Sequence, residues 1–284
     1  MSRLASWELS DAFWSRVEPL LPSPQRDPNR DYKRKPGGGR KPKSARLVLE
    51  GILFVLRTGC QWKALPKDVF GSASAIHTRF LEWERAGVFA ALWRSGLVEY
   101  DEMEGIAWAW QSIDGALTKA PLARESVGKN PTDRGKNGGT KRNLLTDGRG
   151  VPLSIVVCGA NRHDVTQLAA VLDGVMLPRP AVTDEAPQHL CADAGYAGLP
   201  AYEQMTSRDY TPHVRSRRDE MVQKPLGYKP RRWVVEVSHS WFNRFRKLLV
   251  RYEKLDRSYI ALVMLAAAII VFRMVPGDVN IIHG

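Results

Sequence analysis

Three carboxylates, Asp114, Asp193 and Glu236, stand where the local sequence places a side chain at the end of a strand or inside a helix. Asp114 closes the alternating run IAWAWQSID, Asp193 closes HLCAD just before Ala194-Gly195-Tyr196, and Glu236 lies in the helical run RRWVVEVSHSWFNRFRKL. Acidic side chains arriving from three elements can build one metal site. Mg²⁺ (or Mn²⁺) takes oxygen ligands in an octahedron and keeps several waters, so two or three carboxylates suffice. Two such ions about 4 Å apart clamp the attacking and leaving oxygens of an in-line displacement at phosphorus. On this reading Asp114 and Asp193 share one ion, Asp114 bridges to the other, and Glu236 completes that other ion's coordination. That is the chemistry by which nucleic-acid backbones are cut and joined.

The elements that position these groups change character along the chain. Ser10 can cap a helix over about 10–21 that Pro19 and Pro22 close. The stretch from about 22 to 43 is rich in Pro, Gly and cations and reads as an exposed basic arm. Ser44 can cap an apolar helix ending at Gly59. A third helix, SASAIHTRFLEWERAG, carries Ile76, Phe80 and Trp83 on one stripe, with Ser74, His77, Thr78 and Arg79 off it. A fourth, VFAALWRSG, follows.

From Ile106 the period falls towards two, the mark of strands. Strands are expected at 106–114, 140–146, 151–158 and 188–193, helices near 163–176 and 199–207, and a short strand at 211–215. A basic linker then leads to the Glu236 helix. This order describes an α/β fold with an RNase H-like mixed sheet flanked by helices, preceded by an all-α DNA-binding region. The expected division is 1–104 and 105–284. On the last-named helix Val234, Trp241, Phe245 and Leu248 form a core stripe with Val237 alongside, while Arg232, Glu236, His239, Asn243 and Lys247 form a second stripe. For that helix in isolation a surface pair between Arg232 and Glu236 is the plainer reading.

A 284-residue chain with 44% hydrophobic residues can bury a sizeable core. The charge of +12 and a pI near 9.8 point to an anionic partner, nucleic acid first. Cys60, Cys158 and Cys191 lack the spacing of a zinc site or disulfide frame and read as small buried hydrophobes in a reducing compartment. No secretory signal is readable, so the expected location is cytoplasmic. The most apolar run, 259–272, is shorter than the roughly 20 residues of a membrane span and reads as a buried core helix.

The runs SIDGALTKA, KNGGTKRNLLTDGRGVPLSIVVCGANRHD, CADAGYAG and RRWVVEVSHSWFNRFRKLLVRYEK resemble the DDE transposases of bacterial insertion sequences, in the IS-four/IS-five-like group. The likeness runs from about Arg40 to Phe272, with the blocks in family order. It implies that Asp114, Asp193 and Glu236 are the catalytic, metal-holding triad, on an RNase H-like fold, with divalent metal and element-end DNA. The family signature around its glutamate is Tyr-x2-Arg-x3-Glu-x6-Lys. Here Arg232 matches, Tyr228 is displaced by one residue, Asn243 holds the lysine position and Val237 follows the glutamate. Only 78 residues separate the aspartates and 42 separate Asp193 from Glu236, which leaves no room for a large inserted domain.

Further residues carry DNA-facing readings beside plainer ones. Thr78, Arg79 and His77 on the third helix suit a helix-turn-helix reader, or the wet face of a bundle. Arg40 and Lys41, within Gly39-Arg40-Lys41-Pro42, resemble minor-groove tracts. Arg30, Arg34, Arg40 and Lys43 suit salt-sensitive phosphate contact. Lys136, Lys141 and Arg142 sit in a basic turn that touches phosphate or closes a hairpin. Arg232, Arg244 and Lys247 add cations near the glutamate. His163 is an accessory candidate, although Asp164 capping the next helix explains that pair nearly as well. Tyr196 stacks on a base or, the favoured reading, packs beneath the site. Trp108 and Trp110 read as core.

The function expected is an insertion-sequence transposase acting on double-stranded DNA at terminal inverted repeats and at its target, working as a homodimer or larger synapse. A nuclease or resolvase that only hydrolyses, and a DNA-binding repressor with inert carboxylates, are the alternatives.

Overall fold

The computed structural model describes residues 7–23, 31, 35, 42–133, 135, 138–214, 231 and 233–276. Arg40, Lys41, Lys136 and Arg232, with Arg30, Arg34, Tyr228 and most of the arm and basic linker, lie outside the described residues.

The N-terminal helices follow their caps. Helix α1 (Asp11–Val17) starts where the Ser10 hydroxyl accepts the Phe13 N–H at 3.0 Å, and a 3₁₀ turn over Glu18–Leu20 completes the expected segment. Helix α2 (Ala45–Thr58) begins at the Ser44 cap and stops at Gly59. A short α3 (Lys67–Phe70) precedes α4 (Ala73–Arg85), which buries the expected Ile76, Phe80 and Trp83. Helix α5 (Val88–Glu104) runs well past the Gly96 at which the sequence pattern suggested its end. At Gly96 the glycine serves packing: a Cβ there would lie 3.0 Å from the Phe272 ring. That ring belongs to α9 (Asp256–Met274), the apolar helix, which is long and apolar enough to cross a membrane but is mostly buried as a core helix, packed along α5. One apolar cluster joins the helical region to the sheet, so the boundary expected at 104/105 falls at the end of a helix that shares the core of the second half.

The sheet comprises β1 (Trp110–Lys119), β2 (Gly128–Lys129), β3 (Gly138–Thr146), β4 (Pro152–Gly159), β5 (His189–Ala192) and β6 (Thr211–Val214). β3 lies between β4 and β1 and is antiparallel to both, and β5 then β6 continue parallel to β1, an RNase H-like arrangement with β1 at the centre. Asp114 therefore lies in the middle of β1 rather than at its end, and residues 106–109 form a turn ahead of the strand. Helices α6 (Val165–Asp173) and α8 (Trp233–Asn243) cover opposite faces. Adjacent residues of β3 show this: Lys141 reaches Asp164 at the start of α6, while Arg142 reaches His239 and Phe242 of α8. Helix α7 (Leu199–Thr206) links β5 to β6.

Candidate active site

The two aspartates are brought level by backbone register. β1 and β5 pair in parallel through Trp110↔His189, Gln111↔Leu190 and Ser112↔Cys191. Two residues further along each chain lie Asp114 and Asp193, on the face shared by Ser112 and Cys191 because side chains alternate with period two. Asp114 Oδ1 accepts the Gly115 N–H at 2.8 Å, and Asp193 Oδ1 accepts the Gly195 N–H at 2.9 Å, so each carboxylate keeps oxygen lone pairs free. Glu236 enters over the same face from the first turn of α8, with an exposed side chain.

Burial pushes the Asp114 carboxyl above the ordinary carboxylate range; the Gly115 N–H lowers it, while Asp193, Asp164 and Glu236 each raise it. Three acids thus bear on the largely buried carboxyl of Asp114. Among the described residues no three His, Cys, Asp or Glu side chains converge closely enough to enclose an ion, so the acids form an open cluster. Its chemistry fits a divalent cation: Asp114 is an oxygen ligand strained by like charges that a cation would neutralise. Beside it the Tyr196 hydroxyl is buried without a hydrogen-bond partner, and burial together with Asp164, Asp114 and Asp193 holds it protonated. Tyr196 is packed beneath the site, the reading favoured from sequence.

Asp164 is the member that sequence reasoning misplaced. It makes no side-chain cap on α6; its Oδ1 instead takes the Lys141 ammonium at 2.7 Å, and its field reaches Asp114 and Tyr196. The block Asn161-Arg162-His163-Asp164 carries the signal, but its His163 is exposed at the surface and Asp164 is the residue that faces the acids.

Behind Asp114 lies a buried polar chain. Arg142, fully buried, places Nη2 3.5 Å from His239 Nδ1 and its guanidinium 4.6 Å above the Phe242 ring. A guanidinium has no acceptor, so His239 must turn a lone pair towards it from Nδ1 and carry its proton on Nε2. That Nε2 lies 4.0 Å from Asp114 Oδ2 and has no hydrogen-bond partner. Burial, then the neighbouring Arg142 charge, lower the His239 pKa to about 3, so the ring is neutral at neutral pH.

Several expected surface cations are placed inside. Lys141 and Arg142 belong to β3 rather than to a flexible turn, and both are buried with intramolecular partners. The helix bearing Glu236 ends at Asn243, so Lys247 does not extend its polar stripe. Lys247 is instead buried in a 3₁₀ turn, 3.3 Å from Glu253 and donating to the Cys60 carbonyl. His239 likewise turns inward. His77 is half-buried against the Trp62 ring at 4.8 Å, and burial lowers its pKa. Arg79 is tied to Glu82 at 2.9 Å. Thr78, Lys43 and Arg244 remain exposed. Trp108 packs against the core, but Trp110 does not: it stacks on His189 at 4.2 Å with the Arg231 guanidinium 4.7 Å from its ring centre.

Comparison with known proteins agrees with this geometry. Residues 111–271 match the Transposase DDE domain family, and residues 9–93 match a family of IS4/5 transposases. Two relatives from Burkholderia cepacia are aligned over parts of the chain. The transposase for insertion sequence element IS402 is 35% identical over 133 residues, covering 46% of this chain and 61% of that protein. An uncharacterized 16.2 kDa protein of the same element is 33% identical over 124 residues, covering 43% and 80%. The chain thus spans about three fifths of the first relative's length. Among solved structures, the Mos1 mariner paired end complex with Mn shows 12% identity over 86% of this chain and 78% of that one at a TM-score of 0.35, too loose a likeness to weigh. With a match that covers more than half of the chain and spans both aspartates, the glutamate and the sheet from Gln111 onward, the chain belongs to the Transposase DDE domain family.

Proposed function

We propose that the protein is an insertion-sequence transposase that cuts double-stranded DNA at the terminal inverted repeats of its element and joins the freed 3′-hydroxyl to target DNA. The observation that carries this is the level placement of Asp114 and Asp193 on neighbouring parallel strands, with Glu236 in electrostatic reach. Asp114, Asp193 and Glu236 would hold two Mg²⁺ or Mn²⁺ ions. When bound, the ions would lower the pKa of attacking water and offset charge on the leaving oxygen.

The remaining work falls to the protein. Asp114 acts as ligand in its ionised form, so proton and metal compete for it, and its raised carboxyl makes metal binding weaken as pH falls. His239, held neutral with Nε2 4.0 Å from Asp114 Oδ2, flanks that carboxylate without adding charge. Tyr196, held protonated by burial and the neighbouring acids, lies beside the cluster with its O–H unpartnered. The exposure of Lys43, Thr78 and Arg244 supports their reading as DNA contacts; Arg79, beside Thr78, is paired with Glu82, and for Arg40, Lys41, Lys136 and Arg232, outside the described residues, the reading rests on charge alone. Synapsis of two ends requires a homodimer or larger assembly, and action on DNA inside a bacterial cell makes the protein cytoplasmic.

The test is strand cleavage and joining on a duplex carrying the element's terminal repeat. Wild-type protein yields joined products in Mg²⁺, and Asp114→Asn yields neither cut nor joined strands while still binding the duplex. Cutting without joining would reduce the reading to a nuclease, and cleavage that survives Asp114→Asn would refute the assignment.

A further inference from the structure

On the flank of the carboxylates opposite α8, a groove of about 410 Å³ opens between β2 and the loop joining β4 to α6. Lys129, Asn161, Arg162 and His163 line it with exposed side chains, and Lys141 and Asp164 form its inner wall. Its size falls in the range of roughly 300–1,000 Å³ that holds small ligands, which admits a nucleotide.

The groove is built rather than incidental. A Cβ at Gly128 would collide with the Asn161 carboxamide, and one at Gly139 would lie 3.0 Å from the Cβ atoms of both Asn130 and Ala160. Neither glycine has a positive φ, so what each supplies is room for the loop to press against β2 and β3. Lys141 Nζ fixes the other side by donating to the Arg162 carbonyl at 2.8 Å and to Asp164 Oδ1 at 2.7 Å.

The charges are then unevenly distributed. Lys141 is neutralised by Asp164 within the wall, whereas Lys129 and Arg162 have no carboxylate partner among the described residues and stand at the mouth. Two solvent-facing cations beside a cluster of acids form a place for an anion whose neighbouring group must approach those acids. Asp164 connects the two regions directly, since it lines the groove and also acts on Asp114 and Tyr196.

We propose that this groove is a phosphate subsite for the DNA strand being cut, in which Lys129 and Arg162 hold a backbone phosphate flanking the scissile one. The inference rests on the carboxylates being the cutting site. It makes the two cations positioning groups: they fix where the strand lies and take no part in bond making.

The experiment uses the full chain and duplexes of the element's terminal repeat in which single phosphates near the cut are replaced, one at a time, by neutral methylphosphonate. For the double variant Lys129→Ala/Arg162→Ala, KM should rise roughly tenfold, the cost of a lost charge-assisted contact, with kcat within about twofold of wild type. The slope of log Kd against log salt should fall by about one to two, since each phosphate neutralised contributes roughly 0.9. In wild type one methylphosphonate position should weaken cutting, and at that position alone the double variant should lose nothing further. Arg162→Lys in the Lys129→Ala background should recover part of the KM. Unchanged KM and salt slope, or losses that add at every methylphosphonate position, would overturn the subsite while leaving the catalytic reading intact. Wild-type protein that binds the duplex and never cuts it would overturn the catalytic reading, and the subsite with it.

Discussion

The aspartate pair and Glu236 are held in place by different physics. Asp114 stands on β1 and Asp193 one residue past the end of β5, two residues beyond the last pair of a hydrogen-bonded register, so their placement depends little on neighbouring side chains. Glu236 stands on an eleven-residue helix whose seat depends on side-chain packing: Val235 and Phe242 are fully buried, and the Ser238 hydroxyl donates to the Gly150 carbonyl at 2.7 Å. Removing an aspartate should therefore erase function and spare the fold. Damage to the seat of α8 should cost stability and displace one ligand of three.

The sharpest contrast comes from Asp114→Asn. Cleavage should fall by at least about 10³-fold, as expected when a group central to charge stabilisation is lost. Stability should move the other way. A carboxyl whose folded pKa is raised weakens the fold once ionised, a penalty present at pH above its folded pKa and absent below the unfolded value. At pH 8 without divalent metal the variant should melt about 2–4 °C above wild type, the shift of ~1 kcal/mol in a chain of this size. The difference should vanish as pH drops through the carboxylate range, as calorimetry at pH 8 and pH 3 would show.

Phe242→Ala attacks the other support. It empties a fully buried site and removes the ring beneath the Arg142 guanidinium, so chemical denaturation should show a loss of about 3–5 kcal/mol. Cleavage by the fraction still folded should fall because Glu236 loses its seat; full activity per folded molecule would mean that α8 is held some other way.

A smaller effect is expected at the join between the two supports. His239→Phe keeps a neutral ring in an apolar place but deletes the Nε2 donor facing Asp114, so kcat should drop about tenfold with little change in Tm. A kcat equal to wild type would make the histidine a packing residue only. Smallest of all, Thr78→Ala on the exposed face of α4 should alter DNA affinity by no more than about threefold, consistent with a loss below ~1 kcal/mol read by fluorescence anisotropy.

The same contrast explains what could be read from the sequence. The aspartates were legible because each follows an alternating or apolar run, a local pattern that marks a strand even where, as at Asp114, the strand runs on. The extent of β1 was not: Gly115 resembles a stop, yet it lies within the strand, beneath Asp164 and Lys141, where only a residue without a side chain fits. In α8 the spacing of His239 and Lys247 matched an outer polar stripe, but periodicity cannot tell a solvated polar side chain from one with a buried partner. Arg142 and Asp114 draw His239 inward, and Glu253 draws Lys247, through contacts distant in sequence. Helix α5 outran its expected end because Gly96 makes room for Phe272, a contact made across nearly the whole chain. Asp164 was hidden for a similar reason, since a residue at a helix start reads as a cap until its partner, Lys141, is seen on the neighbouring strand.

The central claim is that Asp114, Asp193 and Glu236 hold divalent metal together, and calorimetric titration of Mn²⁺ into wild type, Asp114→Asn, Asp193→Asn and Glu236→Gln tests it most directly. The account predicts saturable binding to wild type that is lost in Asp114→Asn and reduced in each of the other two, with all four proteins folded. Binding to all four with the same affinity and stoichiometry would contradict it.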